Sequence, residues 1–169
     1  MEPLRIGILT VSDRVCAGVY EDRGGPEVRR VLEAALASPW EAVAWRVPDE
    51  QSRIEAALVA LCEDEACDLV LSTGGTGPAP RDCTPEATEA VCDRLLPGFG
   101  ERMRAVSAAT VPTAILSRQV AGIRNRSFVV NLPGRPEAVR PCLEAVLPAV
   151  LDGLAHLGHP RLDFRETAG

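Results

Sequence analysis

The chain contains no lysine: all 18 of its basic residues are arginine. A Walker-type phosphate loop needs a lysine for the β- and γ-phosphates, so that mechanism is excluded. Any phosphate must be met by arginine forks, backbone N–H groups or a metal. Aromatic residues are scarce, at 4%. The core must therefore rest on Leu, Val, Ile and Ala, a palette suited to a sheet covered by helices. No window approaches 18 consecutive apolar residues, so no transmembrane helix is expected. The N-terminus enters an apolar run with neither a basic leader region nor a cleavage site, and the expectation is a cytoplasmic protein. No CxxC pair occurs among Cys16, Cys62, Cys67, Cys83, Cys92 and Cys142, and their spacing matches no zinc site. They read as reduced thiols, mostly buried; Cys83 stands out because it follows Asp82. Positive charge is in deficit, with a net charge of −6, which argues against nucleic-acid binding. The only histidines, His156 and His159, lie near the C-terminus, away from every polar cluster, and read as surface or helix-end groups.

What is present fits one α/β domain over residues 1–169, with a loose tail from 158. Hydrophobic residues make up 46% and charged residues 25%, a globular balance. Leu4 to Val11 is an apolar, β-branched run, as in a strand buried on both faces. A polar loop spans Ser12 to Gly25, and Val28, Val31, Leu32 and Ala35 then recur at helical spacing. Glu41 to Val47 reads as a second strand, ended by Pro48-Asp49. Ser52 to Glu55 resembles a capping box for a helix carrying Ile54, Ala57, Leu58 and Leu61. Asp68 to Ser72 reads as a third strand, followed by a glycine- and proline-rich loop to Cys83. Thr84-Pro85-Glu86 has the marks of a helix start, with threonine as cap and proline first. A helix is expected over Gly100 to Ala109, strands over Pro112 to Ser117 and Ser127 to Leu132, a turn at Asn131 to Gly134, and a helix over Arg135 to Leu157 that Pro141 and Pro148 could bend. The alternation predicts a mostly parallel sheet with helices on both faces. In such sheets ligands bind beyond the carboxyl ends of the strands. Ser12-Asp13, Pro48-Asp49, Gly74 to Asp82 and Asn131 to Gly134 should converge there.

Gly74, Gly75 and Gly77 let the backbone approach a ligand closely, and exposed N–H groups in such a loop can hold an anion. The helix start at Thr84 adds positive dipole. A glycine pair alone is often only a turn; Ser72-Thr73-Gly74-Gly75-Thr76-Gly77 with Arg81-Asp82 and Thr84-Pro85-Glu86 behind it is a denser pattern than a plain turn requires. Two carboxylates beside bound phosphates, Asp49 and Asp82, would suit magnesium. From spacing alone Asp49 reads first as a helix N-cap, and Asp82 equally as an ion-pair partner of Arg81. Asp13 and Asp22 are weaker candidates, since loop aspartates usually serve turns. Arg81 and Arg118 are candidate phosphate forks. Ser12, Ser117 and Asn131 could bond a polar heterocycle, or act as caps and turns. Pro133-Gly134 could wall a pocket or simply end a strand.

These motifs together resemble the molybdopterin adenylyltransferases of molybdenum cofactor biosynthesis, the bacterial Mog type. The resemblance is carried by Thr10 to Asp13, Gly18 to Asp22, Val47 to Glu50, Ser72 to Gly77, Arg81 to Glu86, Pro97 to Glu101, Pro112 to Gln119 and Asn131 to Gly134. It implies a three-layer α/β/α fold of the molybdopterin-binding-domain type, usually a homotrimer. It implies ATP and molybdopterin as substrates with Mg²⁺, and transfer of AMP to the terminal phosphate of molybdopterin with release of pyrophosphate. The resemblance gives Asp49 and Asp82 the essential catalytic places. It puts Thr76, Ser107 and Ser117 around the pterin and nucleotide pocket, and it suggests handover to the molybdenum insertion enzyme. One departure is plain: the family's usual Asp-x-Ser-Gly reads Asp22-Arg23-Gly24-Gly25 here. The alternative on the same residues is a non-catalytic molybdopterin-binding paralogue or a scaffold.

Overall fold

A computed structural model describes residues 2–165. The chain runs β1 (Leu4–Val11), a short α1 (Asp13–Cys16), α2 (Gly24–Ala35), β2 (Trp40–Val47), α3 (Gln51–Glu63), β3 (Leu69–Thr73), α4 (Thr84–Val91), β4 (Arg94–Leu95), α5 (Pro97–Ala108), a 3₁₀ turn (Pro112–Leu116), β5 (Ala121–Arg124), β6 (Ser127–Leu132) and α6 (Pro136–His156). The six strands form one sheet in the order β2-β1-β3-β6-β5-β4. The first four in that order are parallel, while β5 runs antiparallel to both β6 and the edge strand β4.

The apolar runs are continuous because both faces of the sheet are covered. Ile6, Ile8, Leu69, Leu71, Phe128 and Val130 pack under α2, α5 and α6. Their neighbours in sequence, Leu9, Val70 and Val129, point the other way, under α3 and α4. Period-two alternation thus splits one sheet between two apolar clusters and gives the expected three layers.

Four local expectations need correction. Pro112 to Leu116 is a 3₁₀ turn rather than a strand. Pro112 has no N–H for a ladder, and Ile115 and Leu116 face solvent. The strand role falls instead to Ala121–Arg124, between β4 and β6. No capping box forms at Ser52, which lies inside α3; the cap is Glu50, without a side-chain bond. Thr84 is the first helical residue rather than the cap, and its hydroxyl donates to the Gly74 carbonyl at 2.9 Å. α6 stays unbroken through Pro141 and Pro148, both on its exposed side, because Val139, Leu143, Val146, Val150 and Leu154 bury the opposite stripe.

The segment after α6 is tied down rather than loose as far as Arg165. Leu36 and Phe164 form an antiparallel bridge, and the Arg165 amide donates to Ala35 at 2.8 Å. His159 is a structural group there: its ring nitrogens lie 3.0 Å from an Asp68 carboxylate oxygen and 2.7 Å from the Arg126 carbonyl. The end of the expected tail, 166–169, lies outside the described residues.

Candidate active site

A cleft of about 640 Å³ opens beyond the carboxyl ends of β1, β2, β3 and β6. Each parallel strand delivers one part of it. β1 leads to Ser12, β2 to Asp49, β3 to Thr73-Gly74-Gly75, and β6 to Gly134. Asp22 and Asp82 complete the expected lining.

The glycine loop is held by what surrounds it. Gly74 has φ +101°, and a side chain there would overlap the Val11 carbonyl oxygen. Gly75 has φ +66°, and its Cβ would collide with the Thr84 hydroxyl and stand 3.2 Å from Asp49 Oδ1. Both positions therefore require glycine. The Gly74 amide donates to Leu132, whereas the amides of Gly75, Thr76 and Gly77 have no protein acceptor among the described residues. Of the three, Gly75 lines the cleft, while Thr76 is buried.

Asp49 is not a helix cap. Its carboxylate accepts the Asp13 amide at 2.9 Å, and the Asp13 carboxylate accepts the Asp49 amide at 3.0 Å. This reciprocal pair joins the ends of β1 and β2. Burial pushes the Asp49 carboxyl above the usual carboxylate range; the charges of Asp13 and Asp82 push the same way, against the bond from the Asp13 amide. Asp82 accepts the Ala79 amide at 3.0 Å. A Cβ at Gly77 would lie 2.8 Å from its Oδ2, so that glycine leaves room for the carboxylate.

Neither expected phosphate fork is free. Arg81 grips Asp13, not Asp82, with Nε–Oδ2 at 2.6 Å and NH2–Oδ1 at 3.0 Å. That bidentate bond holds the Asp13 carboxyl below its ordinary value. Arg118 is a staple for the glycine loop. Its side chain donates to the Gly77 and Asp82 carbonyls, each at 2.9 Å, and pairs with Glu86, while its amide donates to Thr76. Glu86 is held below the usual carboxylate range by this partner.

The other expected site residues are engaged by partners within the protein. Asn131 is fully buried, bonding Ser72 Oγ at 3.0 Å, Thr88 Oγ1 at 2.8 Å and the Val120 amide at 3.3 Å. Thr76, Thr84 and Pro85 are buried. The Ser12 hydroxyl caps α1 by accepting from Val15. Ser117 bonds Gln119, and Ser107 meets Cys142 Sγ at 3.2 Å, between α5 and α6. The Pro133 carbonyl accepts from Thr73 Oγ1 at 2.7 Å. Thr73 also explains the missing serine at position 24: a Cβ there would lie 2.9 Å from that same oxygen. Asp22 anchors the polar loop, accepting from Thr10 Oγ1 at 2.9 Å and the Gly25 amide at 3.1 Å. The Cys83 thiol is pushed up, mainly by burial.

Sequence reasoning missed Thr10, Tyr20, Glu21, Arg23, Arg135 and Glu137 as lining residues. Arg135 carried a usable signal, since Pro133-Gly134 precedes it and Pro136-Glu137 opens a helix behind it. Among the described residues no group of three or more His, Cys, Asp or Glu side chains is arranged to hold a metal alone. No helix among them is long and apolar enough to cross a membrane.

Residues 7–152 match the family described as a probable molybdopterin binding domain. The molybdopterin adenylyltransferase of Helicobacter pylori strain 26695 is 55% identical over 150 residues, covering 89% of this chain and 85% of that protein. The molybdopterin adenylyltransferase of Escherichia coli K12 is 50% identical over 156 residues, covering 92% and 80%. Among solved structures, the molybdopterin biosynthesis enzyme MoaB of Thermus thermophilus superposes with a TM-score of 0.85 at 45% identity, covering 94% of this chain and 99% of that one.

Proposed function

The chain belongs to the molybdopterin-binding domain family, and on that premise we propose that it is a molybdopterin adenylyltransferase, transferring AMP from ATP to the terminal phosphate of molybdopterin. The observation that carries the reading is that Asp49 and Asp82 line one cleft with the glycine loop, in a chain half or more identical to two such enzymes over most of its length.

The chemistry follows from the arrangement. The attacking group, a phosphate, is already anionic at neutral pH, so no general base is required. Among the described residues no histidine lines the cleft. Gly75 lines the cleft and its amide has no protein acceptor among the described residues, so it would offer that N–H to a phosphate oxygen, and the start of α4 adds its dipole. Arg118 and Thr84 fix that loop, and Asp13, gripped by Arg81, fixes Asp49. Catalysis is then positioning plus electrostatics.

Two carboxylates without a third protein ligand fit Mg²⁺, which takes one or two carboxylates and completes its shell with phosphate oxygens and water. Asp49 and Asp82 would hold it, and it would offset charge developing on the phosphate oxygens. On the same reading the chain acts in the cytoplasm as a homotrimer and passes its product to the molybdenum insertion enzyme, as the family resemblance implies.

The direct test supplies molybdopterin, ATP and Mg²⁺ and follows pyrophosphate release together with adenylylated product. One pyrophosphate per adenylylated molybdopterin, abolished by a chelator, is expected. Molybdopterin binding without any ATP cleavage would instead mark a non-catalytic paralogue.

A further inference from the structure

We infer that Arg23 and Arg135 form an anion wall of this cleft and take the diphosphate end of the nucleotide, opposite the wall that carries Asp49 and Asp82. The inference deepens the adenylyltransferase reading and rests on it for the identity of the nucleotide.

The sheet itself divides the cleft. Asp49 leads into α3 and Asp82 into α4, and both helices cover one face. Arg23 is the cap residue of α2, and Arg135 is the cap residue of α6. Those two helices cover the opposite face, and both arginines line the cleft. The end of β3, Thr73-Gly74, lies between the two sides: a Cβ at Gly24 would touch Thr73 Oγ1 at 2.9 Å, and one at Gly134 would lie 3.2 Å from Gly74 Cα.

Charge points the same way. The cleft is lined by five carboxylates, Glu21, Asp22, Asp49, Asp82 and Glu137, against these two cations. A substrate pair carrying several phosphates needs cationic partners, and Arg81 and Arg118 are already engaged by Asp13 and Glu86. Neither Arg23 nor Arg135 has a carboxylate within 4.0 Å among the described residues. Arg23 is steadied over the Tyr20 ring, 5.9 Å from its centroid. Of the acids on this side, Asp22 is occupied by Arg46, Thr10 and Gly25, while Glu21 and Glu137 are exposed and screened.

The reaction balances with this division. A molybdopterin phosphate oxygen forms a bond to the α-phosphorus. The bond from that phosphorus to the oxygen bridging to the β-phosphorus breaks, and pyrophosphate departs with the electron pair. In-line displacement puts the incoming and departing oxygens on opposite sides. A leaving diphosphate gathered by two guanidiniums on one wall leaves the other approach to molybdopterin. A diphosphate also presents more charge to the paired arginines than the single phosphate of molybdopterin.

Calorimetric titration with inorganic pyrophosphate and Mg²⁺ tests the wall without turnover. The proteins are wild type, Arg23→Ala, Arg135→Ala and the double variant. Each single substitution is expected to weaken pyrophosphate roughly tenfold, the scale of a charge-assisted bond lost from a partly solvated site. In steady state the KM for ATP should rise while that for molybdopterin stays put. Unchanged pyrophosphate affinity in a folded double variant overturns the inference. So does a rise confined to the KM for molybdopterin, which would assign the wall to that substrate's phosphate. Arginine-dependent pyrophosphate binding in a wild-type protein that forms no adenylylated product would support the wall and refute the adenylyltransferase reading.

Discussion

Replacing Asn131 by alanine separates a buried hub from a ligand contact. The side chain has no exposed surface, so no substrate reaches it. It joins β6 to β3 through Ser72, to α4 through Thr88, and to the chain entering β5 through the Val120 amide. Alanine removes all of these bonds. Thr88 keeps its donation to the Thr84 carbonyl at 2.9 Å, so its loss is partial. The buried Ser72 hydroxyl and the half-buried Val120 amide lose their Asn131 partner, and an unsatisfied buried group costs about 1–3 kcal/mol, less where water reaches it. The vacated amide volume adds a smaller cavity cost. A total near 3–4 kcal/mol is expected, which for a chain of this size lowers Tm by roughly 6–16 °C. Thermal melts by circular dichroism read the stability, and KM values for ATP and molybdopterin read the site. The expected result is a large fall in Tm with both KM values within about twofold below the transition. A melt within about 2 °C of wild type, combined with a raised KM, would refute the hub and restore Asn131 as a pocket residue.

Gly74→Ala must place a Cβ on the Val11 carbonyl oxygen at φ +101°, so both strain and overlap oppose it; a loss of about 2–5 kcal/mol is expected by chemical denaturation. Gly98→Ala, with no atom within 4 Å of the added Cβ, should melt at or above wild type in the same assay. Asp49→Asn should bind molybdopterin yet melt no lower than wild type at pH 7. The sign follows from the raised Asp49 pKa: its stabilising contribution is present below the unfolded value and is lost as pH rises through the folded one. The gap between the two melting curves should therefore close as pH falls through that window.

The parallel half of the sheet was legible because its strands are buried on both faces and read as unbroken apolar runs. β1 and β6 matched end to end, and β2 and β3 came within one residue. The antiparallel edge was not, because Arg94–Leu95 and Ala121–Arg124 are too short to show a period, while Pro112 to Leu116 looked apolar enough to substitute for them. The carboxylates and the glycine loop were legible because topology sends every strand end to one rim. What failed was the pairing of charges. Arg81 sits beside Asp82 in sequence but grips Asp13, and Arg118 turns inward to the loop carbonyls and Glu86. A guanidinium's partner depends on which loops fold together, and that is not written in local spacing.

Pyrophosphate release from ATP in the presence of molybdopterin, compared between wild type and Asp82→Asn, tests the central claim most directly. Among the described residues the Asp82 carboxylate accepts one hydrogen bond, from the Ala79 amide, so asparagine should keep the fold and the pocket. The account predicts stoichiometric adenylylated molybdopterin from the wild type, and a variant that still binds molybdopterin but turns over at least about a hundredfold more slowly. Near-full turnover by the variant would contradict it.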